Sequence, residues 1–188
     1  RISNMKKILK IAKKNKLSVV EDSCHAILAE KYGIIAGNFG DFGCFIMHPL
    51  KNLNVWGDGG YIVVKNFQDY KKLSLMRNHG LVSRNKNLLF GYNSRLDTIQ
   101  AVIANHLLKK LKYLTKKRIN NSYYLDKNLK NFKNLEIIKR EAKSTEVFHL
   151  YCLRVKRNKK SVLKQLIKGG VDVKVHYPVP MHLQPAAK

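Results

Sequence analysis

The chain is short of acid. Twelve Asp and Glu stand against 37 Lys and Arg in 188 residues, a formal net charge of +25. An excess of this size can mark a surface for nucleic acid or another anion. Here the lysines are spread over the whole length, often beside Asn and Ile, as in KKILKIAKKNK and LDKNLKNFKNLEIIK. No nucleic-acid module signature accompanies them. Solvated lysine faces are the first reading, and a basic nucleic-acid-binding protein is the alternative. Other absences narrow the class further. Three cysteines (Cys24, Cys44 and Cys152) are too few and too scattered for a disulfide framework, and no CxxC or mixed His/Cys spacing offers a metal site. Cys24 and Cys44 lie in or beside apolar runs and read as small core residues. A reducing, cytoplasmic setting fits that usage. No apolar run approaches the roughly 20 residues that span a bilayer. The basic N-terminal stretch lacks the apolar centre of a signal peptide. Neither GxxxxGK[ST] nor GxGxxG occurs, and there is no repeat of fixed period.

What remains is a chain with 45% hydrophobic residues, enough for one sizeable core or one domain and part of another. Met5, Ile8, Leu9, Ile11 and Ala12 recur at helical spacing within residues 4–15, with Ser3 or Asn4 as the cap. LSVVED (17–22) follows as a short buried strand, and a helix leading into such a strand is half of a βαβ-type unit. SCHAILAEKYG is a helix-like patch closed by Gly33, and GIIAGNFGDFG is rich in turns. FGCFIM (42–47) and GGYIVV (59–64) read as strands, the second followed by Asn66 and a polar helix start, and LSLMRNHG (73–80) as a helix ended by Gly80. A polar loop over 81–92 leads to Asp97 and Gln100, spaced as a capping pair. The helix they open carries Ile99, Val102, Ile103, Leu107, Leu108, Leu111 and Leu114, and continues through Leu129. Beyond Asn134 the texture changes to strand (LEIIK), strand (VFHLYCLRV), helix (SVLKQLIKGG) and strand (VDVKVHY). The expected organisation is part of a large domain over 1–115, an interdomain helix over 116–133 and part of a smaller α+β domain over 134–188.

Two residues suggest chemistry. Asp22 ends a strand, where open α/β sheets bind their ligands, although Asp is equally at home as a cap. Lys51 lies in a Pro-marked loop between two buried strands. A lysine amine adds to an aldehyde to form a Schiff base, and a carboxylate can keep a pyridine nitrogen protonated. Gly57, Gly59 and Gly60 would let the chain turn tightly and pass close to a flat ligand, or simply turn before a strand.

The segments VVEDSCHA, GDFGCFIMHPLKNLNVWGDGGYIV, MRNHG, GYNSRLDTIQAVIANHLLKKL and HYPVPMHLQPA occur in one order along the chain. Together they closely resemble the DegT/DnrJ/StrS family of sugar aminotransferases, over nearly the whole length. The resemblance implies an α/β architecture, the type I aminotransferase fold, with part of its large mixed-sheet domain and part of its smaller C-terminal α+β domain. It implies pyridoxal 5'-phosphate as cofactor, an amino-acid donor such as glutamate, and a nucleotide-linked keto sugar as acceptor. Lys51 matches the Schiff-base lysine and Asp22 the partner of the pyridine nitrogen. His25 falls where the family often has Gln near the ring hydroxyl, and an imidazole can also hydrogen-bond there. Asn93 matches a residue that reaches the cofactor phosphate of a neighbouring subunit, which implies a homodimer with shared sites, and Arg95 beside it suits anionic groups. His176, Tyr177 and His182 match a loop near the sugar, with an ordinary Pro-rich turn as the plainer alternative.

One position departs from the pattern. The family usually has Ser five residues before the lysine, in contact with the cofactor phosphate, and here that position is Ile46. A branched alkyl group donates no hydrogen bond, so the phosphate would rely on other groups. A family branch that dehydrates sugars has His in place of the lysine, and keeping Lys51 favours amino transfer. A cofactor-binding regulator of the same family is a further alternative. Arg1 in place of Met, and an end at LQPAAK, read as an internal piece of a longer enzyme, with a trimmed domain as the alternative.

Overall fold

Asn4 starts the first helix. In the computed structural model, which describes residues 1–187, its side chain accepts from the Lys7 backbone N–H (3.3 Å). Helix α1 then runs Met5–Lys14, burying Met5 and Ala12 and ending on Lys13 and Lys14, which suit the negative end of its dipole. Strand β1 is only Val20–Asp22, shorter than the expected 17–22. Its ladder begins where its partner begins, at Val20 opposite Phe42; just before, Asp41 turns in and its carboxylate accepts from the Val19 N–H (2.7 Å).

The patch SCHAILAEKYG is not helical. Leu28 takes φ 64°, which interrupts a helix, and Ala26 and Ala29 are buried in turns. The chain instead enters a hairpin of β2 (Glu30–Lys31) and β3 (Ile34–Ile35), with Gly33 at φ 78° in the tight turn. Strand β4 (Phe42–Ile46) is the centre of the main sheet. It pairs parallel with β1 and antiparallel with β5 (Gly60–Val64), giving the mixed order β1-β4-β5. A Cβ at Gly43 would stand 2.3 Å from the Gly37 carbonyl oxygen, so the turn before β4 can lie against it only without one.

Helix α2 spans Phe67–Met76: it opens at the expected Asn66, which caps it by accepting from the Asp69 N–H (2.8 Å), and it ends before the expected stop at Gly80. The polar loop holds a small hairpin of β6 (Leu81–Ser83) and β7 (Lys86–Asn87). The long helix α3, Thr98–Leu129, is continuous as expected, and Gln100 accepts from the Asp97 N–H (3.3 Å) at its start.

Contacts divide the chain into two units: Arg1–Leu125 with Arg140–Tyr151, and Asp126–Lys139 with the chain from Cys152 onward. The second unit contains β8 (Leu135–Ile137), and its strand β10 (Leu153–Val155) pairs antiparallel with β8, followed by helix α4 (Lys159–Lys168). The segment VDVKVHY joins no ladder among the described residues. VFHLYCLRV is not one strand either. Its first part belongs with the first unit, where β9 (Ser144–Thr145) pairs with β2 and Val147 is fully buried. Two apolar clusters fill that first unit. One gathers Ile2, Met5, Ala26, Ala29, Ala36 and Val147; the other gathers Met47, Leu53, Val55, Ala104 and Leu111.

Candidate active site

Strand β4 delivers the chain to Lys51, and a set of backbone bonds pins the loop that follows. Met47 N–H donates to the Gly59 carbonyl (2.7 Å), Val55 N–H to the Met47 carbonyl (3.0 Å) and Lys51 N–H to the His48 carbonyl (2.8 Å). Leu53 and Val55 are buried just beyond the half-buried Lys51, so the loop is anchored by its own side chains. Gln100 at the start of α3 donates from Nε2 to the Asp58 carbonyl (2.9 Å) and holds the far end.

The glycines of this loop have a role other than the expected one. Positive φ belongs to the exposed Trp56 (61°) and not to Gly57, Gly59 or Gly60. A Cβ at Gly59 would stand 2.9 Å from Leu96 Cδ1, and one at Gly60 would stand 2.6 Å from the Phe45 carbonyl oxygen. These glycines let protein approach protein.

Asp22 ends β1 opposite Cys44 on β4, and it is exposed. Hydrogen bonds from Cys24 hold its carboxyl below the usual carboxylate range: the side chain first, then the backbone N–H (3.1 Å to Oδ1). Partial burial opposes this, and the charges of His25 and Lys51 reinforce it. The Cys24 thiol, 3.8 Å from the Cys44 carbonyl oxygen, is pushed up to about 11 by burial and by Asp22, so it stays protonated and is not a nucleophile at neutral pH. Burial and the Asp22 charge also raise Cys44. Asp22 borders a cavity of about 270 Å³ that Met5, Ile8, Val19 and Val20 also line.

The preceding residue, Glu21, is 8% exposed and is fully engaged. Its carboxylate accepts from the backbone N–H of Phe39 (2.6 Å), Gly40 (2.7 Å) and Gly37 (3.0 Å), tying the turn before β4 to β1.

Asp22, His25 and Lys51 thus fall within electrostatic reach at one end of the sheet. Asn93 and Arg95 share an exposed ledge: Asn93 bridges to Asn78, and Arg95 Nε donates to Asn78 Oδ1 (2.9 Å). His176, Tyr177 and His182 lie in the second unit and are all exposed. The first two rings stand 4.7 Å apart, and Tyr177 joins Pro178, Val179, Met181 and Gln184 around an apolar cavity of about 260 Å³. One residue beside the site escaped the sequence reading. The His149 ring lies 4.2 Å from that of His25, tilted by 38°. VFHLYCLRV carries no local signal of this, since the contact is made across most of the chain.

The residues present suit the ring end of a pyridoxal cofactor. A carboxylate held in its charged form can face a protonated pyridine nitrogen, and an amine within its field can meet an aldehyde. At the phosphate end Ile46, half-buried at the end of β4, offers no donor. Among the described residues no cluster of three or more His, Cys, Asp or Glu could hold a metal ion, and no helix is long and apolar enough to cross a membrane.

With this geometry in place, comparison with solved structures defines the class. The chain superposes on DesV of S. venezuelae with a TM-score of 0.95 at 29% identity, covering 100% of this chain and 50% of that one. The expected architecture, part of the type I aminotransferase fold, is what the structure has. The chain belongs to the DegT/DnrJ/EryC1/StrS aminotransferase family, whose pattern matches residues 1–188. Among curated relatives, the UDP-N-acetyl-3-dehydro-alpha-D-glucosamine 3-aminotransferase of Acidithiobacillus ferrooxidans is 33% identical over 183 residues, 97% of this chain and 49% of that protein. A pleiotropic regulatory protein of Geobacillus stearothermophilus is 33% identical over 187 residues, 98% of this chain and 50% of that protein. The chain spans about half the length of the curated relatives it matches.

Proposed function

We propose that the protein to which this chain belongs transfers an amino group from an amino acid, glutamate by preference, to a nucleotide-linked keto sugar, using pyridoxal phosphate. The observation that carries the reading is that Asp22 ends β1 and Lys51 lies in the loop after the parallel strand β4, at the same carboxyl edge of the sheet. Family membership and the sugar aminotransferase from Acidithiobacillus support it.

When bound, pyridoxal phosphate supplies a conjugated ring that accepts the electron pair left on the amino-bearing carbon of a substrate. Lys51 Nζ would hold the cofactor's aldehyde carbon, and Asp22 the proton on its ring nitrogen. His25 would hydrogen-bond the ring hydroxyl. Once displaced by the donor, the Lys51 amine would take the proton from the donor's α-carbon and return it to the carbon that was the cofactor's aldehyde, acting as general base and then acid. Asn93, with Arg95 beside it, would serve the phosphate of a second subunit, so the working form is a homodimer with shared sites. His176, Tyr177 and His182 would contact the sugar nucleotide. The setting is cytoplasmic.

The name of the Geobacillus relative favours a second reading, a cofactor-binding regulator of the same family.

The experiment is an absorbance titration of the full-length protein with pyridoxal phosphate. A visible band that forms in the wild type and is lost in Lys51→Ala is expected; a band indifferent to Lys51 would sink the assignment. Adding glutamate then separates enzyme from regulator, because only an enzyme bleaches that band by taking up the amino group.

A further inference from the structure

His25 sits in a stretch of turns between β1 and β2, exposed, with no regular element to hold it. An imidazole that must present one nitrogen to a ligand needs its plane fixed. The surroundings of His149 supply such a support. Its segment, residues 140–151, is fastened to the first unit along its whole length. Lys31, buried, donates from Nζ to Glu141, and Ser144 and Thr145 pair with Lys31 and Glu30. Within the segment, Arg140 Nη1 donates to Glu146 (3.2 Å) and its guanidinium lies 4.7 Å from the Phe148 ring, which holds the strap's own shape. Val147 is 0% exposed, in one cluster with Ala26 and Ala29, the first and fourth residues after His25. The Phe148 carbonyl accepts from Arg118 on α3 (3.5 Å). These ties fix the backbone that carries His149.

From that anchored position the half-buried His149 ring meets the exposed His25 ring at 4.2 Å. The same segment reaches the other arm of the site, because Asn52, next to Lys51, donates from Nδ2 to the Val147 carbonyl (3.4 Å). One strap of chain therefore touches the neighbour of Lys51 and the third residue after Asp22.

We propose that His149 is a positioning residue of the active site: its ring backs that of His25 and sets the plane in which His25 meets the cofactor ring. The role rests on the function proposed above. The contact is ring against ring, tilted by 38°, so the proposed role asks for a flat ring at position 149.

The test uses the full-length protein with His149→Ala, His149→Phe, His149→Gln, His25→Ala and the His25→Ala/His149→Ala pair. Two readouts are taken: cofactor affinity from the absorbance titration, and the His25 ring-proton NMR signals without cofactor. Expected is about a 10-fold weaker cofactor affinity in His149→Ala, in the range that loss of an orienting partner costs. His149→Phe should come back to about wild type, and His149→Gln should not. The His149→Ala effect should vanish when His25 is already Ala, as coupling between touching residues requires. The His25 signals should shift in His149→Ala as the neighbouring ring is lost, and far less in His149→Phe. Rescue by Gln but not Phe, or an undiminished effect on the His25→Ala background, overturns the role. So does a wild-type affinity in His149→Ala when the wild type forms its Lys51-dependent band. If the wild type forms no such band, the proposed function itself fails, and that outcome is read before any His149 variant.

Discussion

Two consecutive carboxylates end β1, and their surroundings are opposite. Glu21 points into the unit, is nearly closed off from water, and accepts three backbone N–H groups within 3.0 Å. Asp22 points the other way, is open, and takes one backbone N–H and the Cys24 side chain. Alternation along a strand puts the pair on opposite faces. One face spends its charge on the fold, and the other keeps acceptor capacity for a ligand. Neighbouring acids of similar chemistry are thus divided by the sheet alone, one tied into the fold and one left open.

Removing the open charge should have the larger effect on chemistry. On the proposed function, Asp22→Asn is expected to lower kcat/KM of the full-length protein by about 100-fold or more, since the lost group would face the cofactor's ring nitrogen. Its urea midpoint should stay near that of the wild type, as expected of an exposed position. A large loss of stability in Asp22→Asn would erase the contrast between the two residues.

Removing the closed charge should invert that pattern. Glu21→Gln turns an amide toward backbone donors and is expected to cost about 3 kcal/mol of stability, read from urea unfolding. The activity of the fraction still folded should remain close to wild type. If instead stability holds and activity collapses, the assignment of Glu21 to the fold is wrong.

The smallest effect concerns pH. The folded Asp22 carboxyl is depressed, so its favourable contribution is complete above its unfolded value of about 3.9 and is lost as pH falls through the lower folded value. Between pH 7 and about 5, Asp22 therefore contributes no titration to cofactor affinity. A midpoint in that window that persists in Asp22→Asn belongs to another group, and one that disappears with Asp22 contradicts the depressed carboxyl.

The parts of this molecule that could be read from residues alone are those governed by local rules. Asn4, Asn66 and Gln100 act at helix starts as their chemistry suggests, and α3 follows its apolar periodicity from Thr98 to Leu129. Asp22 at a strand end and Lys51 between two strands were legible from spacing, and the order of motifs led to the family. Illegible were the features that depend on distant partners. SCHAILAEKYG has helical composition, yet Leu28 at φ 64° and the pairing of β2 with β9 make it a hairpin approach. VFHLYCLRV looks like one strand and divides between the two units because Val147 is drawn into a core of alanines from the other end of the chain. Propensity yields to burial in such places.

By itself the sequence determined which groups could do chemistry here: an amine, a carboxylate and an imidazole at Lys51, Asp22 and His25, and an alkyl group at Ile46 where a donor is usual. Side-chain identity sets what a residue can donate, accept or ionise, and no folding alters that. The tertiary structure alone decided which of two adjacent acids stays open and which histidine backs another. Those outcomes depend on strand alternation and on contacts between residues far apart in the chain, which no local pattern encodes.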